Sequence, residues 1–63
     1  METMTDVRLW LKQMGTFIYT KNRQTDLELM EEELKEAYKL GIMDSDTFRK
    51  ATLIIRKEMK AGR

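Results

Sequence analysis

The sequence contains no cysteine, no histidine and no proline. Without cysteine the chain has no disulfide and no thiolate to bind a metal, a usage that suits a reducing cytoplasm. Without histidine it lacks the side chain that most often moves protons near neutral pH and most often ligates metals. Without proline nothing forces a helix to break. These absences favour a cytoplasmic helical domain that is not an enzyme and holds no cofactor or metal.

Long apolar runs are absent as well. No run exceeds three residues, as at 17–19 and 53–55, whereas a membrane span needs about 20. The first three residues include neither a basic region nor an apolar stretch, so no signal peptide is expected there. The whole chain has 63 residues, enough for one domain. We therefore expect a single domain over residues 1–63 that does not enter a membrane.

Apolar residues recur at helical spacing in three segments of the chain. The first stripe consists of Met4, Val7, Leu11, Met14 and Ile18. Its phase continues through Gly15, which favours a helix from about Thr5 to Thr20, although Gly15 is also a possible C-cap. The second and third stripes predict helices over about 23–40 and 45–60.

The connection between the second and third segments has a clear turn pattern. Gly41 can adopt the left-handed conformation that ends a helix, because it has no Cβ. Asp44 is expected to cap the third helix, with Met43 and Phe48 at the spacing of a hydrophobic staple. Three amphipathic helices with short connections predict an all-α fold, an antiparallel three-helix bundle in up-down-up order. The residues expected to be largely buried are Trp10, Leu11, Met14, Leu27, Met30, Leu34, Tyr38, Phe48, Ala51 and Ile55.

Charge is segregated along the chain, although the net charge is only +1. Residues 1–25 carry four basic and two acidic groups, residues 26–43 two basic and six acidic, and residues 44–63 six basic and three acidic. Such segregation produces surfaces of opposite sign.

Up-down-up order would place the first connection beside the C-terminal end of the third helix. The basic residues expected to meet there are Lys21, Arg23, Arg56, Lys60 and Arg63. Tyr19 would offer a ring for base stacking beside them, which is the pattern of a single-stranded RNA or DNA site. An ordinary solvated basic face remains the other interpretation. A further basic group, Arg8, Lys12 and Arg49, is expected at the opposite end.

The acidic residues and the single serine do not form a reactive site. Glu28, Glu32 and Glu36 lie four residues apart and could hold a divalent ion, but they point away from the apolar stripe and have no histidine partner. We interpret them as a solvated face. Ser45 has no histidine to activate it as a nucleophile.

Four leucines lie away from the main apolar stripes: Leu9, Leu29, Leu40 and Leu53. Single exposed leucines are common, whereas several in patches indicate self-association. The alternative function is therefore a structural or protein-interaction module that forms a homo-oligomer through these leucines.

The stretches Gly15-Thr16-Phe17-Ile18-Tyr19-Thr20-Lys21-Asn22-Arg23, Asp26-Leu27-Glu28-Leu29-Met30 and Leu34-Lys35-Glu36-Ala37-Tyr38 resemble those of the YqgQ-like family of short cytoplasmic proteins from Gram-positive bacteria. The resemblance covers nearly the whole chain and includes no catalytic motif. It implies a three-helix bundle, and single-stranded nucleic-acid binding has been proposed for the family. Its members often carry Gly-Asp-Arg at 21–23, so Arg23 matches the family by position and Lys21 does not.

Overall fold

The computed structural model describes residues 1–61. It contains three α-helices, α1 over Met4–Gln13, α2 over Arg23–Lys39 and α3 over Ser45–Ala61. No strand occurs in that range, so the expected all-α three-helix bundle is confirmed. Arg63, expected at the basic end, lies outside the described residues.

The first helix ends earlier than the apolar phase predicts, so the expected continuation to about Thr20 is wrong. Gly15 has φ +85° and closes α1 with two hydrogen bonds. Its own N–H donates to the carbonyl of Lys12 at 3.0 Å, and the N–H of Thr16 donates to the carbonyl of Leu11 at 2.9 Å. This pairing is a Schellman motif, which uses up the last carbonyls of the helix and turns the chain away from its axis.

Residues 16–20 belong to no helix or strand and take the chain back along α1. Thr16 shares a groove with Ala37, whereas Thr20 bonds to Asp26 near the start of α2, so the segment between them is extended. Its five residues reach about 16 Å at roughly 3.3 Å per residue, close to the length of about 15 Å expected for a ten-residue helix. As a result Arg8 lies near the first turn of α2, while Met14 shares a groove with Leu40 near the end of α2. The same ends of α1 and α2 thus lie together, so these two helices run parallel and the expected up-down-up order is wrong. The long return path through residues 16–20 replaces the short connection that this order requires.

The third helix runs back against the other two. A turn at residues 40–44 joins it to α2 in an antiparallel hairpin, and Thr3 and Met4 at the start of α1 share a hollow with Lys57 and Ala61 at the end of α3. The N-terminal end of α2 and the C-terminal end of α3 therefore lie at the same end of the bundle, as the sequence predicts.

The core consists of Val7, Leu11, Leu27, Met30, Leu34, Ala37, Met43, Ala51 and Ile55. Six of the ten residues expected in it are buried, and Trp10 and Phe48 are half-buried against it. The prediction is wrong for Met14 and Tyr38, which are 45% and 44% exposed. Met14 is the C-cap residue, beyond the last full turn of α1. Tyr38 stacks on Phe48 at the edge of the core, with ring centroids 4.6 Å apart.

Aspartates close the open N-terminal ends of two helices. Asp6 and Thr3 form a capping box on α1, and Asp44 accepts a hydrogen bond from the N–H of Thr47 at 3.5 Å at the start of α3. The N–H of Glu2 also donates to Asp6, and this bond is the main reason that the pKa of Asp6 is lowered from its ordinary value of 3.8. The pKa of Asp44 is likewise lowered, chiefly by the side chain of Thr47. Because these pKa values are lower in the folded chain, the stabilisation is complete above the ordinary pKa and is lost as the pH falls through the lowered one.

Replacing Gly41 with valine tests the turn between α2 and α3. Gly41 has φ +76° and forms the same Schellman bonds as Gly15, with the N–H of Ile42 donating to the carbonyl of Ala37 at 2.9 Å. A Cβ at Gly41 would meet no atom within 4 Å, so the cost comes from the backbone conformation alone, about 1–2 kcal/mol. We expect Gly41→Val to lower the melting temperature by roughly 4 °C or more. Gly41→Asn, which tolerates this conformation, is the control, and an unchanged melting temperature for both variants would contradict the assignment.

Candidate nucleic-acid interface

A buried carboxylate holds the extended segment in place. Asp26, in the first turn of α2, is 8% exposed. Its Oδ1 accepts hydrogen bonds from the N–H of Thr20 at 2.7 Å and from the hydroxyl of Thr20 at 2.6 Å. Asn22 caps α2 beside it, accepting from the N–H of Thr25 at 3.0 Å. No sequence pattern indicates the contact of Thr20 with Asp26, because the two meet only through the left-handed backbone of Lys21 and the N-cap at Asn22.

Lys21, between Thr20 and Asn22, has a left-handed backbone with φ +67°, the one positive φ of a non-glycine residue among residues 1–61. This conformation lets the chain leave the extended segment and enter α2 within two residues. It costs an L-residue roughly 1–2 kcal/mol. The strain is offset by the hydrogen bonds on either side of Lys21, and it directs the lysine side chain to the surface.

The turn at Gly15 brings a set of basic side chains to the ring of Tyr19. A shallow hollow at the surface is lined by Arg8, Tyr19, Lys21, Arg23 and Asp26. Three of the expected site residues, Tyr19, Lys21 and Arg23, are therefore brought together. Arg8 is an addition, since the sequence placed it at the opposite end. Arg8 reaches this hollow because α1 ends at Gln13, earlier than the spacing of apolar residues predicts.

Two aromatic rings point away from the core along this segment. Phe17 is 83% exposed and Tyr19 is 66% exposed, whereas Ile18 between them packs on the core. Alternate residues of an extended chain point to the same side, so Phe17 and Tyr19 share one surface. Phe17 was not among the expected site residues, because a helical reading of 16–20 separates it from Tyr19. The continuous apolar run at 17–19 fits an extended segment as well as a helix, so the sequence does not distinguish these two conformations.

The expected site residues on α2 and α3 are engaged differently. Arg23 pairs with Glu58 of α3, which joins the start of α2 to the end of α3. Arg56 donates from Nε to Glu31 at 3.1 Å. Lys60 is exposed in the last turn of α3. Two of the expected phosphate-binding arginines are therefore already in ion pairs.

Cations without such partners lie around the extended segment. Within residues 1–61, Arg8, Lys12 and Lys21 form no salt bridge, whereas Arg49 pairs with Asp46 at 3.2 Å. Across the same residues, no three acidic side chains converge in an arrangement that could hold a metal ion. None of the three helices is both long and apolar enough to span a bilayer.

The four off-stripe leucines are all at the surface. Leu9 is 52% exposed, Leu29 41%, Leu40 67% and Leu53 61%. The bundle therefore does not bury these side chains, and the reason for considering self-association remains.

The fold and this surface define a class of small all-α proteins: a helical hairpin, a short first helix and an extended aromatic segment anchored between them. The chain belongs to the YqgQ-like family, which it matches over residues 1–61. It is similar to the uncharacterized protein YqgQ of Bacillus subtilis (strain 168). The two are 33% identical over 60 residues, which cover 95% of this chain and 84% of that protein.

Removing the Asp26 carboxylate tests its role as the anchor of the segment. We expect Asp26→Ala to lower the free energy of unfolding by about 1–3 kcal/mol, because both hydrogen-bond donors of Thr20 lose their acceptor. Asp26→Asn should cost less, since the amide oxygen can still accept. Urea unfolding measures both values, and Glu28→Ala, at an exposed position two residues on, is the control. Equal effects for Asp26→Ala and Glu28→Ala would show that the contact does not stabilise the domain.

Glycine at position 21 should relieve the strained backbone. Glycine adopts this left-handed conformation readily, because it has no Cβ. We expect Lys21→Gly to raise the free energy of unfolding by about 1 kcal/mol relative to Lys21→Ala. The alanine variant loses the same charge but retains the Cβ, so a thermal melt of the pair isolates the backbone contribution. If the alanine variant were as stable as the glycine variant, Lys21 would not be strained in solution.

Proposed function

We propose that this chain is a small cytoplasmic, non-enzymatic module that binds single-stranded nucleic acid at the extended segment. The observation that carries the proposal is the exposure of Phe17 and Tyr19 on one side of a segment bordered by Arg8, Lys21 and Arg23. The absence of cysteine and histidine from the chain accords with a binding role in a reducing compartment.

The two rings have the spacing of a stacking platform. Residues i and i+2 of an extended chain are about 6.5–7 Å apart, and aromatics on one side of an extended strand stack successive bases in several RNA-binding domains. Stacking on each ring contributes about 1–3 kcal/mol and tolerates any base, because every base has a π-face. Single-stranded nucleic acid fits better than duplex, since its bases are free to stack.

The charges around the rings suit a phosphate backbone. Arg8 and Lys21 are exposed and form no ion pair within residues 1–61. Arg23 shares an exposed ion pair with Glu58, and exposed pairs contribute so little that a phosphate can replace the carboxylate. Asp26 is nearly buried and turned toward Thr20, so it presents little negative surface to a phosphate.

The helical part of the expected site contributes less in this proposal. Arg56 is held by Glu31, whose side chain is only 17% exposed, and exchange of a half-buried partner costs more. Lys60, exposed at the end of α3, adds a mobile charge near the Arg23–Glu58 pair. The binding surface therefore centres on the extended segment and extends toward the end of α3.

A second candidate function is that of an interaction module which self-associates. The exposure of all four off-stripe leucines favours it, because contiguous exposed apolar surface in a small domain marks an interaction site.

Fluorescence anisotropy with a labelled oligonucleotide of about ten uridines or thymidines tests the first function. We expect weak binding at low salt. The logarithm of the association constant should fall with the logarithm of the salt concentration, at a slope of about −0.7 per phosphate engaged. Phe17→Ala and Tyr19→Ala should each weaken binding by roughly tenfold, the equivalent of one stacked base. Arg23→Ala should also weaken it, and more than Arg56→Ala.

Lys39→Gln is the matched control, because Lys39 is exposed in the last turn of α2, at the opposite end of that helix from Tyr19, Lys21 and Arg23. No binding at low salt would end the proposal. Binding that persists in the Phe17→Ala/Tyr19→Ala double variant would place any site elsewhere on the chain.

A further inference from the structure

Two apolar grooves flank α1 and meet where the helix ends. The basic groove lies between α1 and the extended segment, and its exposed residues include Arg8, Leu9, Lys12 and Phe17. The acidic groove lies between the ends of α1 and α2, and its lining includes Trp10, Met14, Glu33, Glu36, Leu40 and Ile42. Thr16 lines both grooves and Leu11 forms the buried floor between them, so the two grooves adjoin at the end of α1.

We propose that this surface is a homodimer interface, in which the basic groove of one copy covers the acidic groove of a second copy. The proposal rests on the second candidate function and specifies the surface that it would use. Leu9 and Phe17 of one copy would pack against Leu40 and Ile42 of the other. All four side chains are at least half exposed in the single chain.

The charges of the two grooves are complementary. Arg8 and Lys12 belong to the basic groove and have no salt-bridge partner within residues 1–61. Glu33 and Glu36 belong to the acidic groove and likewise form no salt bridge in that part of the chain. Opposed potentials of this kind fix the register of two partners more than they add affinity. A single apolar groove would accept many partners, whereas the basic and acidic grooves of this chain have charges that complement each other.

Adjacent complementary patches are what a two-fold dimer requires. In a two-fold dimer, if residue i of one copy contacts residue j of the second, residue j of the first contacts residue i of the second. Because the two grooves meet at Thr16, a two-fold axis near this residue lets each copy's basic groove contact the other copy's acidic groove. The result is a closed dimer. Five of the nine exposed large apolar side chains would then be covered: Leu9, Met14, Phe17, Leu40 and Ile42.

The expected dimer is weak. The two grooves are short, so the area that they cover lies at the low end of specific interfaces, below about 1,200 Å² in total. Interfaces of that size are transient, and we expect a dissociation constant of the order of 100 μM. Because Phe17 belongs to both proposed surfaces, an oligonucleotide stacked on it would favour the monomer.

Sedimentation velocity from about 10 μM to 1 mM, with no oligonucleotide present, tests the dimer. We expect Leu40→Lys to weaken it at least tenfold, by losing apolar contact and setting a cation against the basic groove. Leu53→Lys makes the same change at another leucine, which lies outside both grooves, and should leave the dimer intact. A monomer at every concentration, or an equal effect of both substitutions, would overturn the proposal.

A charge exchange gives a second test that does not depend on apolar contact. Lys12→Glu and Glu36→Lys should each weaken the dimer severalfold, and the double variant should recover it, because the attraction is restored with its signs reversed. Failure of the double variant to recover would reject this pairing of the grooves. Tyr19→Ala should retain the dimer and weaken oligonucleotide binding about tenfold, and Leu40→Lys should weaken the dimer and retain oligonucleotide binding, so the two functions can fail separately.

Discussion

The left-handed backbone of Gly15 fixes where α1 ends, and the position of the exposed aromatic rings depends on it. Closing the helix with bonds from Gly15 and Thr16 turns the next five residues into an extended return path. Without that turn, Phe17 and Tyr19 would lie about 200° apart around a helix, at 100° per residue. With it they lie on one side, next to Arg8. The platform is therefore a consequence of one helix C-cap.

The return path is held by polar contacts more than by apolar ones. Ile18 alone among residues 17–19 packs on the core, and Thr20 is tied to α2 through Asp26. A carboxylate that accepts from a backbone N–H and a hydroxyl is well satisfied, which is why it can be buried. The strained backbone at Lys21 is the corresponding cost. A segment fixed at one end by Gly15 and at the other by Asp26 can present its side chains in a defined order without a neighbouring strand.

The exposed apolar surface has a simple origin in the size of the chain. A domain of about 60 residues buries only about 60% of the surface of its unfolded chain, and the ten residues of α1 cover only part of the hairpin. Apolar side chains consequently remain exposed at both edges of α1, with basic neighbours on one edge and acidic neighbours on the other. The small core and the two exposed apolar grooves thus have the same cause.

The sequence by itself determined the helical hairpin. Periodicity and the Gly41 turn are local, and they predict α2 and α3 to within one residue. It also placed the start of α2 beside the end of α3, which antiparallel packing requires. The end of α1 was different, because apolar residues at 14 and 18 fit a helical phase and Gly15 is compatible with either conformation. The packing of the segment distinguishes them, because Ile18 lies against the core and Thr20 bonds to Asp26 of α2. The same holds for the ion pairs of Arg23 and Arg56, for the approach of Arg8 to Tyr19 and for the meeting of the two grooves. Only the tertiary structure decides them, because each joins residues that no short sequence pattern relates.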